Sequence, residues 1–391
     1  MALAPTLAGR LPAFPWDSLA GAAQRARAHP GGIVDLSVGT PVDPVPAVVQ
    51  AALAAAADSP GYPATHGTAA LREAAAAWLN RRHGVRVSPD AILPVIGTKE
   101  LIAWLPTLLG CGPGDVVIHP ALAYPTYDVG ARLAGARPVR ADADGPGGFD
   151  GPGGFDGRDA AGSLSAGGAR LAWLNSPSNP TGAVLTASAL RGAIRWARDH
   201  GTVLACDECY IGLGWEAEPL SVLHPDVCDG SHAGLLAVHS LSKRSNLAGY
   251  RAGFITGDPA LVAALLEVRK HAGMIVPAPV QAAMTAALND DIHAEQQRAR
   301  YAARRARLRP ALEAAGWRVE HSAAGLYFWA AHPAYDCRGS VEALAGAGIL
   351  VGPGEFYGPT GARHIRVALT ATDERIESAA DRLRQLPLTT V

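Results

Sequence analysis

Only three side chains in this sequence carry a primary amine, Lys99, Lys243 and Lys270; the other basic residues are arginines. A guanidinium stays protonated and delocalised, so it cannot condense with a carbonyl. Covalent amine chemistry therefore falls to one of these lysines or to a free amino terminus. Lys243 stands out for its setting. It closes the stretch Ser240-Leu241-Ser242-Lys243, and Arg251 follows shortly after. Three other stretches have a similar character: Asp207-Glu208-Cys209-Tyr210, Asn179-Pro180-Thr181-Gly182 and Tyr124-Pro125-Thr126-Tyr127. Upstream, Gly97-Thr98-Lys99-Glu100 opens a helical pattern.

An aldehyde on a phosphorylated pyridine ring would use all of these groups. The aldehyde needs an amine. The ring nitrogen needs an acid that keeps it protonated, so that the ring can accept electrons. The phenolic oxygen needs donors. The phosphate needs backbone N–H groups at a helix start and a cation. The ring face needs an aromatic plate. Each residue also has a plainer reading. Asp207 alone is a strand-end cap, Asn179-Pro180-Thr181-Gly182 alone is a turn, and Tyr124 and Tyr210 alone are core edges. Ser240 and Ser242 alone are loop hydroxyls, and Arg251 alone is a surface charge. Their joint placement carries the chemical reading.

That placement comes from the elements. Val116-Val117-Ile118, Leu171-Ala172-Trp173-Leu174, Val203-Leu204-Ala205-Cys206 and Leu235-Leu236-Ala237-Val238 are short and continuously apolar. Strands buried on both faces of a parallel sheet read this way. A helix is expected from Thr186 to Gly201 between two of them. Further helices are expected over Pro46 to Ala57 and Thr68 to Arg82. The alternation predicts an α/β fold with a mostly parallel sheet flanked by helices. Each chemical stretch follows one apolar run, at the carboxyl end of a strand, where open α/β sheets bind ligands. The C-terminal part reads differently. A long helix from about Asp291 to Ala315 precedes strands near Trp317 to Glu320 and Leu326 to Ala330, a helix near Val341 to Ala347 and a strand His364 to Ala368. This order predicts a smaller α+β domain. The expected division is an arm over 1–40, a large domain over 41–290 and a small domain over 291–391.

Composition excludes several classes. The chain has 391 residues, and 34 basic residues balance 35 acidic ones. No net charge argues for nucleic acid or an anionic membrane as partner. No apolar stretch is long enough to span a bilayer, and Met1 to Arg10 does not read as a signal peptide. Five scattered cysteines suit a reduced, cytoplasmic compartment. Cys206 and Cys209 form a CxxC, but a redox pair of that spacing opens a helix, and this one straddles a strand end. No second CxxC completes a zinc site, and the histidines show no HExxH spacing, so no metal is expected. GPGGFD occurs twice in tandem between Gly145 and Gly157 and reads as a lengthened surface loop.

With these residues in place, the sequence resembles the class I/II aminotransferases, which are fold-type I pyridoxal-phosphate enzymes. The resemblance runs from Leu36-Ser37-Val38-Gly39-Thr40-Pro41 to His364-Ile365-Arg366-Val367-Ala368. It is most specific over Ser240 to Lys243 with Gly249-Tyr250-Arg251-Ala252-Gly253. It implies pyridoxal 5'-phosphate as cofactor, with Lys243 as the Schiff-base lysine and Asp207 at the pyridine nitrogen. Asn179 and Tyr210 would bond the ring oxygen, and Tyr124 would stack on the ring. Thr98, Lys99 (largely through its backbone N–H), Ser240, Ser242 and Arg251 would hold the phosphate. Tyr62, in Gly61-Tyr62-Pro63, resembles the tyrosine that reaches the phosphate from a partner subunit, which implies a homodimer. Arg366 would clamp the substrate α-carboxylate beside Gly39.

A narrower likeness, to actinobacterial N-succinyldiaminopimelate aminotransferases, lies in Ser242 to Phe254, Asp207 to Trp215 and Gly354 to Pro359. It implies transfer of an amino group from glutamate to N-succinyl-2-amino-6-oxopimelate, in lysine and diaminopimelate biosynthesis. Within the fold the rivals are another amino acid/keto acid pair or a C–S lyase, because fold and cofactor do not decide the reaction. A cofactor-sensing regulator would need a DNA-binding segment, and no basic region is present. The sequence does not identify the residues that would read the substrate side chain.

Overall fold

In the computed structural model, residues 6–141 and 169–386 are described. The tandem GPGGFD stretch lies outside them. Seven strands form the principal sheet: β1 Ile92–Ile96, β2 Val116–Pro120, β3 Arg137–Ala141, β4 Ala169–Asn175, β5 Val203–Asp207, β6 Leu235–Ser240 and β7 Ala252–Gly257. Their order across the sheet is β1-β7-β6-β5-β4-β2-β3. All pairings are parallel except those of β7, which runs antiparallel to both β1 and β6. The continuous apolar runs arise because both faces are covered. Ile118, Leu174, Leu204 and Ala237 belong to one core cluster, whereas Val117, Trp173, Ala205 and Leu236 belong to another. Successive residues of a strand point to opposite faces, so the central positions of β4, β5 and β6 are apolar on both.

Register then sets the site. Asn175 pairs with Asp207 across β4 and β5, and Asp207 with Val238 across β5 and β6. The strands therefore deliver their first polar side chains at one edge. At the far side, Ile96 pairs with Ala252, which brings the residue after β1, Gly97, beside the residue before β7, Arg251.

A second, antiparallel sheet is formed by β8 Arg318–Glu320, β9 Tyr327–Ala331, β10 Gly352–Pro353 and β11 His364–Ala368, in the order β10-β11-β9-β8. Trp329 pairs with Arg366. The long helix runs over Ile292–Ala314, and Arg304 on it bonds both Asp43 oxygens (2.8 and 2.6 Å) and Asp373 (2.7 Å).

The first forty residues depart from the expected extended arm. They hold helical turns at Leu7–Arg10 and Pro15–Leu19 and an α-helix at Ala20–Arg27. Packing is the reason: Ala22, Ala23 and Ala26 are buried in the same core cluster as Val341, Leu344 and Leu383. Small side chains let this helix lie close to the helix Cys337–Gly346. No helix among the described residues is long and apolar enough to cross a membrane.

Candidate active site

The carboxyl edge of β4, β5 and β6 opens into a cavity of about 710 Å³. From the principal sheet and its loops come Tyr124, Asn179, Asp207, Tyr210, Ser240, Ser242 and Lys243. The start of the helix Thr98–Leu108 brings Thr98 and Lys99, and the turn before β7 brings Arg251. Gly39 and Arg366 close the cavity from the side of the second sheet. Tyr62 is the exception. It lies outside the cavity and is fully exposed in the single chain.

The acid is held from two directions. Asp207 Oδ2 accepts from the Tyr127 hydroxyl at 2.8 Å, and Oδ1 accepts from the Cys209 N–H at 3.1 Å. Burial pushes the Asp207 carboxyl above its usual range, and these donors oppose the shift. A cationic ring nitrogen at the same oxygens would restore the charged form.

Asn179 is fixed by a residue outside the motif. Asn175, the last residue of β4, accepts from the Asn179 N–H at 2.7 Å and donates to the Pro177 and Asp207 carbonyls. Asn179 Oδ1 in turn accepts from Arg366 Nη1 at 2.9 Å, and Arg366 Nη2 bonds the Ser37 carbonyl at 2.7 Å. Arg366 Nε is buried and, among the described residues, has no hydrogen-bond partner. A buried guanidinium N–H of this kind suits an anionic ligand oxygen, because leaving it unpaired costs stability. The guanidinium also lies over the Tyr327 ring, 3.9 Å from its centre.

Lys243 Nζ donates to the Gly39 carbonyl. Burial lowers the lysine pKa from its ordinary value, and Arg366 and Arg251 add to the lowering. That direction favours the neutral amine, the form that attacks a carbonyl. Burial raises the Tyr210 phenol well above its usual value, so Tyr210 stays a donor.

The end of the cavity beside Arg251 is a helix start, which suits a phosphate. The first N–H groups of the helix Thr98–Leu108 have no partner within the helix. Gly97 before it has φ +76°, and a Cβ there would sit 2.3 Å from Arg251 Nη2. Only glycine lets the guanidinium approach. Glu100 anchors the helix through a two-pronged pair with the fully buried Arg269, at 2.9 and 3.3 Å. The donor set at this end, together with the amine, the acid and the ring-flanking tyrosines, fits pyridoxal phosphate.

Reading the sequence missed Tyr127, Asn175, Ser37, Tyr327 and Arg269. Tyr127 sits inside a quoted motif, and its helical spacing from Tyr124 was the available signal. One apolar part of the cavity lining was also missed: Leu11, Phe14 and Trp16, together with Ile102 and Val129.

Comparison with known proteins agrees with this geometry. Residues 32–383 match the family model for aminotransferases of class I and II. A probable aminotransferase of Mycobacterium tuberculosis is 63% identical over 95% of this chain and 85% of its own length. The 4-dedimethylamino-4-oxo-anhydrotetracycline transaminase OxyQ of Streptomyces rimosus is 59% identical, covering 95% of this chain and 99% of OxyQ. A probable N-succinyldiaminopimelate aminotransferase of Thermus thermophilus superposes with a TM-score of 0.81 at 30% identity, covering 96% of this chain and all of that one. With the family model spanning nearly the whole fold, the chain belongs to the class I and II aminotransferases, enzymes that depend on pyridoxal phosphate.

Proposed function

We propose that the protein transfers the amino group of glutamate to N-succinyl-2-amino-6-oxopimelate, giving N-succinyl-LL-2,6-diaminopimelate and 2-oxoglutarate. The observation that carries this reading is a further cation on the cavity wall, besides Arg366, Arg251 and Lys243. Arg366 suits the α-carboxylate. Lys99 lines the cavity, and its Nζ stands 5.5 Å from the centre of the Phe14 ring. Among the described residues it has no carboxylate within ion-pair distance. An extended acceptor with a carboxylate at each end would meet both cations. The likeness of the lysine motif to succinyldiaminopimelate enzymes supports the same choice.

In this reading the bound pyridoxal phosphate supplies an aldehyde that takes up the amino group and a protonated ring that accepts an electron pair. Lys243 would hold the cofactor's aldehyde carbon through its amine and, as a free amine, would move a proton at the substrate Cα. Asp207 would keep the ring nitrogen protonated. Asn179 and Tyr210 would bond the ring oxygen, and Tyr124 would cover the ring face. Thr98, the Lys99 N–H, Ser240, Ser242 and Arg251 would hold the phosphate. Tyr62, exposed on the single chain, reaches the phosphate of a second copy, so the enzyme works as a homodimer.

A second reading has its own support. Part of the cavity lining is apolar, with Leu11, Phe14, Trp16, Ile102 and Val129, and OxyQ by name takes a ring-bearing oxo compound. An acceptor with a bulky ring system would suit that wall. Visible absorbance of the loaded enzyme separates the two readings. Glutamate is expected to convert the band, and the succinylated keto acid to restore it, in a ping-pong pattern. A band restored only by other keto compounds overturns the succinyl assignment and leaves the aminotransferase standing.

A further inference from the structure

We propose that Tyr327 is a positioning residue of the reaction: its hydroxyl donates to the Tyr210 hydroxyl and so sets how strongly Tyr210 bonds the cofactor's ring oxygen. The proposal rests on the placement of Tyr210 given above and extends it to a residue on the other sheet.

The two hydroxyl oxygens are 3.1 Å apart, with the rings edge-to-face at 76°. Each phenol has one proton to give. If the Tyr210 proton goes to the ring oxygen, the Tyr210 oxygen must accept, and Tyr327 is the donor beside it. A chain of this kind polarises, and each bond strengthens the next. Tyr327 is also set up to give rather than take. The Arg366 guanidinium lies 3.9 Å from the centre of its ring and draws on the ring's electrons. Burial holds Tyr210 in its protonated form.

Packing does not account for the hydroxyl. A phenylalanine ring would lie under Arg366 equally well. The hydroxyl instead occupies space that the chain keeps open for it. A Cβ on Gly39 would come within 2.1 Å of Tyr327 Oη. The same Gly39 gives its carbonyl to Lys243 Nζ. Tyr327 thus touches the residues that meet the substrate carboxylate, the cofactor oxygen and the reactive amine.

A donor on the ring oxygen drains negative charge that would otherwise hold a proton on the neighbouring nitrogen of the lysine–cofactor link. Loss of the donor therefore raises the pH at which the visible band of the loaded enzyme titrates. For Tyr327→Phe the expected rise is about 0.1 to 0.5 unit, the fraction of the Tyr210 bond that a polarising donor adds. Tyr210→Phe is expected to raise it further. In the double variant, Tyr327→Phe should add nothing, because its path runs through Tyr210. Thermal unfolding of the cofactor-free variants checks that the fold is kept. An unmoved titration in Tyr327→Phe, or an equal shift with and without the Tyr210 hydroxyl, overturns the proposal. A titration indifferent to Tyr210→Phe overturns the placement of Tyr210 and the proposal with it.

Discussion

Tyr127 is fully buried and gives its proton to Asp207 Oδ2 at 2.8 Å. Asp207 is thus tied to the helix Thr126–Ala134 as well as to its own strand. Tyr127→Phe removes one of the donors that oppose the effect of burial, so the Asp207 pKa rises further. The acidic limb of the kcat/KM profile is expected to move to higher pH by about half a unit to one unit. Pyridoxal-phosphate affinity should fall about five- to tenfold by the same argument. A pH–rate series and a cofactor titration measure both. An unchanged acidic limb removes the role given to Tyr127.

Lys243→Ala is expected to abolish the visible band that pyridoxal phosphate gives with the enzyme. Lys99→Ala should keep that band, because its contribution to the phosphate comes through the backbone. Its loss should appear in KM for the succinylated acceptor, about two- to fivefold if the exposed charge pair is worth roughly 0.5–1 kcal/mol. Absorbance spectra and steady-state kinetics separate the two lysines. A band that survives Lys243→Ala overturns the assignment of the reactive amine.

Gly97→Ala forces a Cβ to within 2.3 Å of Arg251 Nη2, at a φ of +76° that side chains resist. Arg251 must retreat from the helix start. Pyridoxal-phosphate Kd is expected to rise about tenfold or more, the worth of a charge-assisted hydrogen bond. Equilibrium dialysis of the variant measures it. Unchanged affinity would mean that the phosphate does not sit in this cradle.

Behind the cofactor cavity, Glu208 and His239 are buried 3.6 Å apart. Burial raises the Glu208 carboxyl to about 8 and lowers the His239 imidazole to about 3. The unfolded carboxyl ionises near its ordinary value while the folded one stays protonated. Glu208 therefore costs stability progressively as pH rises from about 4.5 to about 8. His239 acts in the opposite sense, and its cost grows as pH falls below about 6.5 toward 3. Glu208→Gln removes the first cost. The Tm difference between variant and wild type should grow from pH 5 to pH 8, by about a few degrees, and level off above. A difference that is flat with pH would show that Glu208 is ionised in the fold.

Much of this was legible before any coordinates. Apolar runs ending in Asp207, Asn179 and Ser240 located one sheet edge, because a strand covered on both faces has polar residues only at its ends. The antiparallel run of β7 was not legible. Its sequence, Ala252-Gly253-Phe254-Ile255-Thr256-Gly257, carries no sign of direction. The Arg366–Asn179, Tyr327–Tyr210 and Arg269–Glu100 contacts were also out of reach, since each joins residues more than a hundred positions apart. The first helix was missed because Ala22, Ala23 and Ala26 give a weak apolar signal. They bury well only against a partner at the other end of the chain.

The Arg366–Asn179 bond has a consequence for how the protein comes into being. Asn179 leaves the ribosome well before Arg366. A nascent chain halted before β11 already contains Lys243, Asp207 and the helix start at Thr98, but it lacks the guanidinium that holds the Asn179 side chain. Asn179 is therefore left without this partner until the second sheet is complete.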